Sequence, residues 1–321
     1  MRVFVTGASG FIGSAVVREL LQHGHEVVGL VRSEEGIKRL EAWGAAALRG
    51  SIEELKILHR GASEADAVVH TAFFHKFSHA GPAARLRITL GGSLRKAPAR
   101  FMAAAVETDK RAIAAFGSAL EQGGRTLVIA IPTMTLAPGT IATENDAGDP
   151  ASVGGGRVAS EQALLALADR GIRASLVRLP PIVYGEGDTA GLLPSLIRIT
   201  RAKGAAAYIG EGGNRWPAVH RLDAARLFRL AAEHGATGAK FHAVSSEGTA
   251  FREIAAMIGQ QINLPVKSVG REQAGAHFGW LGEFAAADNP VSSSLTRQRL
   301  GWQPVEASLE AELARNYYFR S

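Results

Sequence analysis

Residues 3–20 read "VFVTGASGFIGSAVVREL". Four strand-forming residues run into a glycine-rich turn, and an apolar-periodic segment follows. The pattern predicts strand, tight turn, helix. The glycines at 7, 10 and 13 have the spacing G-x-x-G-x-x-G. Gly7 permits the sharp turn, Gly10 lets the backbone approach a pyrophosphate, and Gly13 lets the helix lie close on the strand. The helix opening at Phe11 and Ile12 then points its first N–H groups at the phosphates. A glycine triplet alone says little, but between a first strand and a first amphipathic helix it predicts dinucleotide binding. Gly7, Ser9, Gly10, Phe11, Ile12 and Gly13 are the cofactor-binding candidates of this stretch.

The second strand ends "VVGLVRS". A carboxylate there would bind the ribose 2′-hydroxyl of NAD. Arg32 stands there instead, and Ser9 lies in the glycine loop. A guanidinium and a hydroxyl suit a 2′-phosphate, so the expected cofactor is NADP, with NAD possible. A solvated strand-end cation is the plain alternative for Arg32.

Outward from this motif, short β-branched runs alternate with helical ones. Residues 3–6, 26–31, 67–70, 126–131 and 174–179 read as buried parallel strands, and 14–22, 34–43, 101–120 and 158–168 as helices. Gly24 and Gly171 fall where helix C-caps belong. The expectation is an α/β fold: a doubly wound parallel sheet (Rossmann) with a smaller C-terminal α/β substrate lobe. The expected division is 1–184 for dinucleotide binding and 185–321 for substrate, with interleaved segments. Beyond 185 the pattern loosens, with helices at 192–203, 224–234, 251–261 and 309–318. Segment 80–100 carries five basic residues and no acidic one. It reads as a surface loop, or as a lid or partner-binding segment.

The 321 residues are 46% hydrophobic and 21% charged, enough for a large core. Net charge is +6, with the basic residues scattered and no nucleic-acid motif. A mild attraction for anionic ligands is the functional reading of that charge. There is no cysteine, which excludes disulfides, thiol catalysis and Cys-ligated zinc. Of the ten histidines only His75 and His79 stand four residues apart, with no H-E-x-x-H motif and no carboxylate cluster beside them, so no metal is expected. The start shows no apolar leader, and no run suits a membrane span. The chain is expected to be cytoplasmic, with a small-molecule substrate, no nucleic acid and no membrane as partners.

Several segments together resemble the extended short-chain dehydrogenases/reductases, which include NAD-dependent epimerases and dehydratases. "TGASGFIG" is similar to the family's opening motif, and "DAVVHTA" (66–72) to the strand passing beneath the cofactor. "RLPPIVYGEGD" (178–188) resembles the segment whose proline lies near the nicotinamide, and "RWPAVHRLDAARL" (215–227) a C-terminal family segment. The resemblance implies cofactor contacts at Thr71, Ala72 and Pro180. It also implies a homodimer paired through the helices at 101–120 and 158–168.

The chain departs from that family at its chemistry. The family uses Tyr-x-x-x-Lys, the tyrosine as proton donor and the lysine to bind the nicotinamide ribose. The resemblance puts Val153 at the first place and Arg157 at the second. The four tyrosines are Tyr184, Tyr208, Tyr317 and Tyr318, and none has a lysine four residues on. Arg157 can bind ribose hydroxyls or stabilise an alkoxide, but it is a poor acid. Thr133, then Thr135, is the candidate hydroxyl for the substrate oxygen, unless the loop backbone takes it. "HTAFFHKFSH" (70–79) supplies His75 as the candidate replacement donor, with His70 read as structural. The candidate catalytic residues are thus Thr133, Arg157 and His75. The functional expectation is an NADP-dependent oxidoreductase acting on a small carbonyl or alcohol through a non-standard proton donor. The alternatives are a catalytically silent, redox-sensing NAD(P)-binding protein, and a nucleotide-sugar epimerase or dehydratase. The three glycines 154–156 predict a helix starting late, near Arg157, after a mobile loop.

Overall fold

A computed structural model describes residues 1–74, 97–121, 123–315 and 317–319, with Arg85 and Ile88. His75 and most of segment 80–100 lie outside the described residues. The chain divides into two compact units. The first comprises Met1–Ile131, Gly156–Val177 and Ala225–Lys240; the second comprises Pro132–Gly155, Arg178–Ala224 and Phe241–Ser321.

The first unit holds most of a seven-stranded sheet whose strands are β1 (Arg2–Thr6), β2 (Glu26–Val31), β3 (Ala46–Arg49), β4 (Ala67–His70), β5 (Thr126–Pro132), β6 (Arg173–Leu179) and β10 (Lys240–His242). Their order is β10-β6-β5-β4-β1-β2-β3. The pairs β1/β2, β1/β4, β2/β3 and β4/β5 are parallel, with Thr6 opposite both Leu30 and His70. Reversal of direction at β1 makes the sheet doubly wound, as the sequence predicts. Helices α1 (Phe11–Gln22), α2 (Glu34–Ala42), α3 (Leu55–Ser63), α4 (Ala97–Leu120) and α5 (Val158–Leu165) provide the crossovers. β4 is buried at all four positions, as a central strand covered on both faces must be. Its core neighbours include Phe4 and Phe116, which meet edge to face at 6.4 Å between centroids. Periodicity did not mark β3 or α3. β3 is an edge strand with no fully buried residue, so its pattern carries no strong signal.

The second unit holds a three-stranded sheet, ordered β11 (Ser246–Ala250), β9 (Arg215–His220) and β7 (Ile182–Tyr184). A two-stranded pair, β12 (Val266–Val269) with β8 (Ala206–Ile209), lies in the same unit. Its core gathers Trp216, Phe251, Ile254 and Phe278, with Trp216 and Phe251 4.9 Å apart edge to face. Among the described residues no helix is long and apolar enough to cross a membrane.

Candidate functional site

The glycine turn has the geometry its spacing predicts. Gly7 has φ +71°, a left-handed conformation that L side chains rarely adopt. Gly10 donates its N–H to the Gly7 carbonyl at 2.8 Å and stands at the N-cap of α1 without a side-chain cap. A Cβ on Gly13 would fall 2.0 Å from the Gly7 carbonyl oxygen, so only glycine lets helix and turn meet. A Cβ on Gly7 would fall 2.8 Å from the Thr71 hydroxyl and 3.0 Å from the Ala72 nitrogen. The first turn of α1 carries no acidic residue, leaving the positive end of the helix dipole uncompensated. Thr71 fastens the end of β4 to β1 by donating to the Thr6 carbonyl at 2.8 Å. These residues make a cradle that fits a pyrophosphate.

Arg32, at the end of β2 just beyond Val31, is exposed. The nearby carboxylates are engaged elsewhere, Glu35 with Arg39 at 2.7 Å and Glu34 with Arg49 at 4.0 Å. Among the described residues Arg32 has no hydrogen bond or ion pair. Ser33 is committed as the N-cap of α2, accepting from the Gly36 N–H at 3.1 Å.

Below the cradle runs a buried polar chain. The Thr6 hydroxyl lies 2.6 Å from His70 Nδ1, and His70 Nε2 lies 3.1 Å from Asp109 Oδ1. Asp109 Oδ2 faces Arg157 Nη2 at 3.3 Å, and that nitrogen donates to the Ala130 carbonyl at 2.9 Å. An ionised carboxylate only accepts, so His70 donates to it from Nε2. The guanidinium also lies over the Phe73 ring, 3.9 Å from its centroid. Asp109 is fully buried and Arg157 is 8% exposed. Burial pushes the Asp109 carboxyl up, but the Arg157 charge and the His70 hydrogen bond outweigh it and hold it below the ordinary value. Burial lowers Arg157, and the Asp109 charge resists that. His70 is thus a buried structural member of this chain, as its strand position implied. Asp109 and Phe73 were not picked out from sequence.

In the second unit Thr133 follows β5 directly and is fully buried. Its hydroxyl donates to Asn289 Oδ1 at 2.6 Å, and Asn289 Nδ2 donates back to the Thr133 carbonyl at 3.1 Å. Thr135 donates to the Pro132 carbonyl. Pro180, between β6 and β7, is buried. Val153 is half-buried and packs on the apolar core of this unit.

The glycine run before Arg157 is closely packed. The Gly154 N–H donates to the Met134 carbonyl at 2.9 Å and the Gly155 N–H to the Ser152 carbonyl at 2.9 Å. A Cβ on Gly154 would meet that Met134 oxygen at 2.6 Å, and one on Gly155 the Pro150 oxygen at 2.1 Å. The glycines admit backbone, where the sequence suggested slack. A 3₁₀ turn at Gly155–Arg157 leads into α5, which starts at Val158 with Arg157 as its N-cap. Among the described residues no group of three or more His, Cys, Asp or Glu could hold a metal ion.

A doubly wound parallel sheet with a glycine cradle at its first βα turn defines a dinucleotide-binding fold. The chain belongs to the NAD dependent epimerase/dehydratase family, whose pattern matches residues 3–245. This bears out the family resemblance read from the motifs. The chain is similar to the "Uncharacterized protein C2A9.02" of Schizosaccharomyces pombe, 45% identical over 321 residues, 99% of this chain and 100% of that one. It is 29% identical over 244 residues to a Stigmatella aurantiaca 4-hydroxy-2-methyl-3-oxo-4-farnesyl-3,4-dihydroquinoline-1-oxide ketoreductase, covering 74% of this chain and 66% of that one. In fold it matches the Streptomyces venezuelae DesIV double mutant, a dTDP-glucose 4,6-dehydratase with NAD and DAU bound. The TM-score is 0.74 at 20% identity, over 98% of this chain and 95% of that one.

Proposed function

We propose that this protein is an NADP-dependent oxidoreductase of the cytoplasm, acting on a small carbonyl or alcohol. The NADP reading is carried by Arg32, an exposed cation with no partner among the described residues, at the strand end where a carboxylate would select NAD. Gly7, Gly10 and Gly13 would admit the pyrophosphate, with Ser9 and Arg32 at the 2′-phosphate and Thr71, Ala72 and Pro180 along the remainder of the dinucleotide. The cofactor supplies the hydride when bound. The ketoreductase activity in the name of the Stigmatella relative supports reduction of a carbonyl.

Arg157 takes the place of the family's lysine in this reading. Paired with Asp109 it stays a cation, so it stabilises developing negative charge and does not deliver the proton. The donor in this proposal is His75, in the segment that follows β4, a strand end of the kind that faces ligand in such sheets. Two copies pairing through α4 and α5 complete the proposal, with a dimer expected in sedimentation.

The test is direct. The wild-type protein should bind NADPH more tightly than NADH, and Arg32→Ala should weaken NADPH by roughly tenfold while leaving NADH unchanged, since a charged hydrogen bond contributes about 1.5–3 kcal/mol. Absorbance loss of NADPH with one member of a carbonyl panel should vanish in His75→Ala. Equal affinity for the two dinucleotides in wild type and Arg32→Ala would refute the NADP assignment.

A second reading has an observation of its own. The Thr133 hydroxyl proton is already given to Asn289, and Val153 has none to give. A silent, redox-sensing protein would have those features. It would bind NADPH tightly and turn over no carbonyl.

A further inference from the structure

The glycine motif does not account for Asp109. It lies on the buried stripe of α4, among Ala105, Val106, Ala112, Ile113 and Phe116. A carboxylate there is costly unless both oxygens are engaged. They are engaged differently: Oδ1 is hydrogen-bonded to His70 Nε2 at 3.1 Å, while Oδ2 has no hydrogen bond and meets Arg157 Nη2 as an ion pair at 3.3 Å. His70 is tied in turn to Thr6 at 2.6 Å, so the carboxylate is anchored to the end of β1 beside the glycine turn.

For Arg157 the consequence is a fixed orientation. Its long side chain has rotamer entropy to lose. Three contacts hold it: Asp109, the Ala130 carbonyl at 2.9 Å, and the Phe73 ring at 3.9 Å. The first two both fall on Nη2, and Nε is buried with no partner. Nη1 makes no hydrogen bond among the described residues, so it is the donor left to meet a ligand. An ion pair this deeply buried adds little net stability over apolar residues of the same shape. Packing alone therefore gives no reason for a cation here.

We propose that Asp109 is a positioning residue for Arg157: it divides its carboxylate between His70 and Arg157, so that Nη1 is presented in one orientation to a ribose hydroxyl of the bound dinucleotide. This rests on the reading of the protein as a nicotinamide-dinucleotide enzyme. It assigns the specific duty to a residue outside the glycine motif and outside the family's paired positions.

A double-mutant cycle on the full chain tests it. Dissociation constants for NADPH are measured by fluorescence titration for wild type, Asp109→Asn, Arg157→Met and the double variant, with the melting temperature of each. Asp109→Asn should weaken NADPH about tenfold, within the range of coupling between residues in contact, and Arg157→Met at least as much. The double variant should bind within about twofold of Arg157→Met, because Asp109 acts only through the arginine. A structural role predicts otherwise: the Asp109→Asn loss would persist in the Arg157→Met background, and that result overturns the proposal. Unchanged NADPH affinity in Asp109→Asn also overturns it, while wild-type binding at ordinary strength leaves the dinucleotide reading intact. A wild-type protein that binds neither NADPH nor NADH removes both. If Asp109→Asn does not fold, Asp109→Glu takes its place in the cycle, with the same vanishing of its effect in the Arg157→Met background expected.

Discussion

Two neighbouring glycines should respond in opposite ways to the same substitution. In Gly155→Ala the new Cβ would stand 2.1 Å from the Pro150 carbonyl oxygen, 2.5 Å from its carbon and 2.9 Å from the Asp149 oxygen. All are backbone atoms, so no rotamer change relieves the clash. The turn must open, and overpacking of this kind costs about 1–3 kcal/mol. In Gly156→Ala the nearest atom is Met102 Cγ at 3.4 Å, ordinary contact with a flexible side chain. Neither glycine has a positive φ, so backbone strain does not enter. At Gly156 the reduced entropy of the unfolded chain should then prevail, stabilising by roughly 0.4–1 kcal/mol. The two variants should differ by about 2–3 kcal/mol, read as the gap between urea midpoints at equal m-value. In thermal melts the same gap is several degrees, at about 2 °C per kcal/mol for a large domain. Equal midpoints, or Gly156→Ala as the less stable variant, would refute the close packing of 154–155 and restore the picture of a slack loop.

Gly13→Ala should lose dinucleotide binding in calorimetric titration and about 1–3 kcal/mol of stability, since its Cβ would stand 2.0 Å from the Gly7 oxygen; retained binding would sink the cradle. Thr133→Val keeps shape but leaves the Asn289 oxygen without its 2.6 Å donor. A loss of about 1–3 kcal/mol in chemical denaturation is expected. The Asp109 carboxyl is held below its ordinary value by Arg157 and His70 against the effect of burial. A depressed native value stabilises above the ordinary carboxylate range and is lost as pH falls through the depressed one. Urea midpoints should therefore drop more steeply on acidification below about pH 4 in wild type than in Asp109→Asn, and parallel acid limbs would contradict the pairing.

What was legible in the sequence was local. The glycine spacing, the strand runs and the helices of the first unit each carry their signal within about twenty residues, and the sheet follows from their alternation. β3 was missed because an edge strand of half-buried and exposed residues has no alternation to read. The late start of the helix after 154–156 was legible, with Arg157 as its N-cap, but the close packing of that glycine run was not, for a related reason. Sequence shows that glycine frees the backbone, but not that Met134 and Pro150 carbonyls come up against it.

The site's polar chain is non-local. His70 and Asp109 are 39 residues apart, and Thr133 and Asn289 are 156 apart, so no spacing joins them. One signal was nevertheless present. Along α4 the buried residues 105, 106, 109, 112, 113 and 116 follow helical spacing, and Asp109 is the charged one among them. A carboxylate on an apolar stripe requires a buried cation or strong donors opposite it. The arginine at 157, where the family resemblance led to a lysine, is a cation that needs the converse. Taken singly, an acid in a core stripe and an arginine for a lysine are two anomalies. Each offsets part of the other's burial cost, which makes the pair a single structural feature and Asp109 the residue whose substitution bears most directly on what Arg157 does.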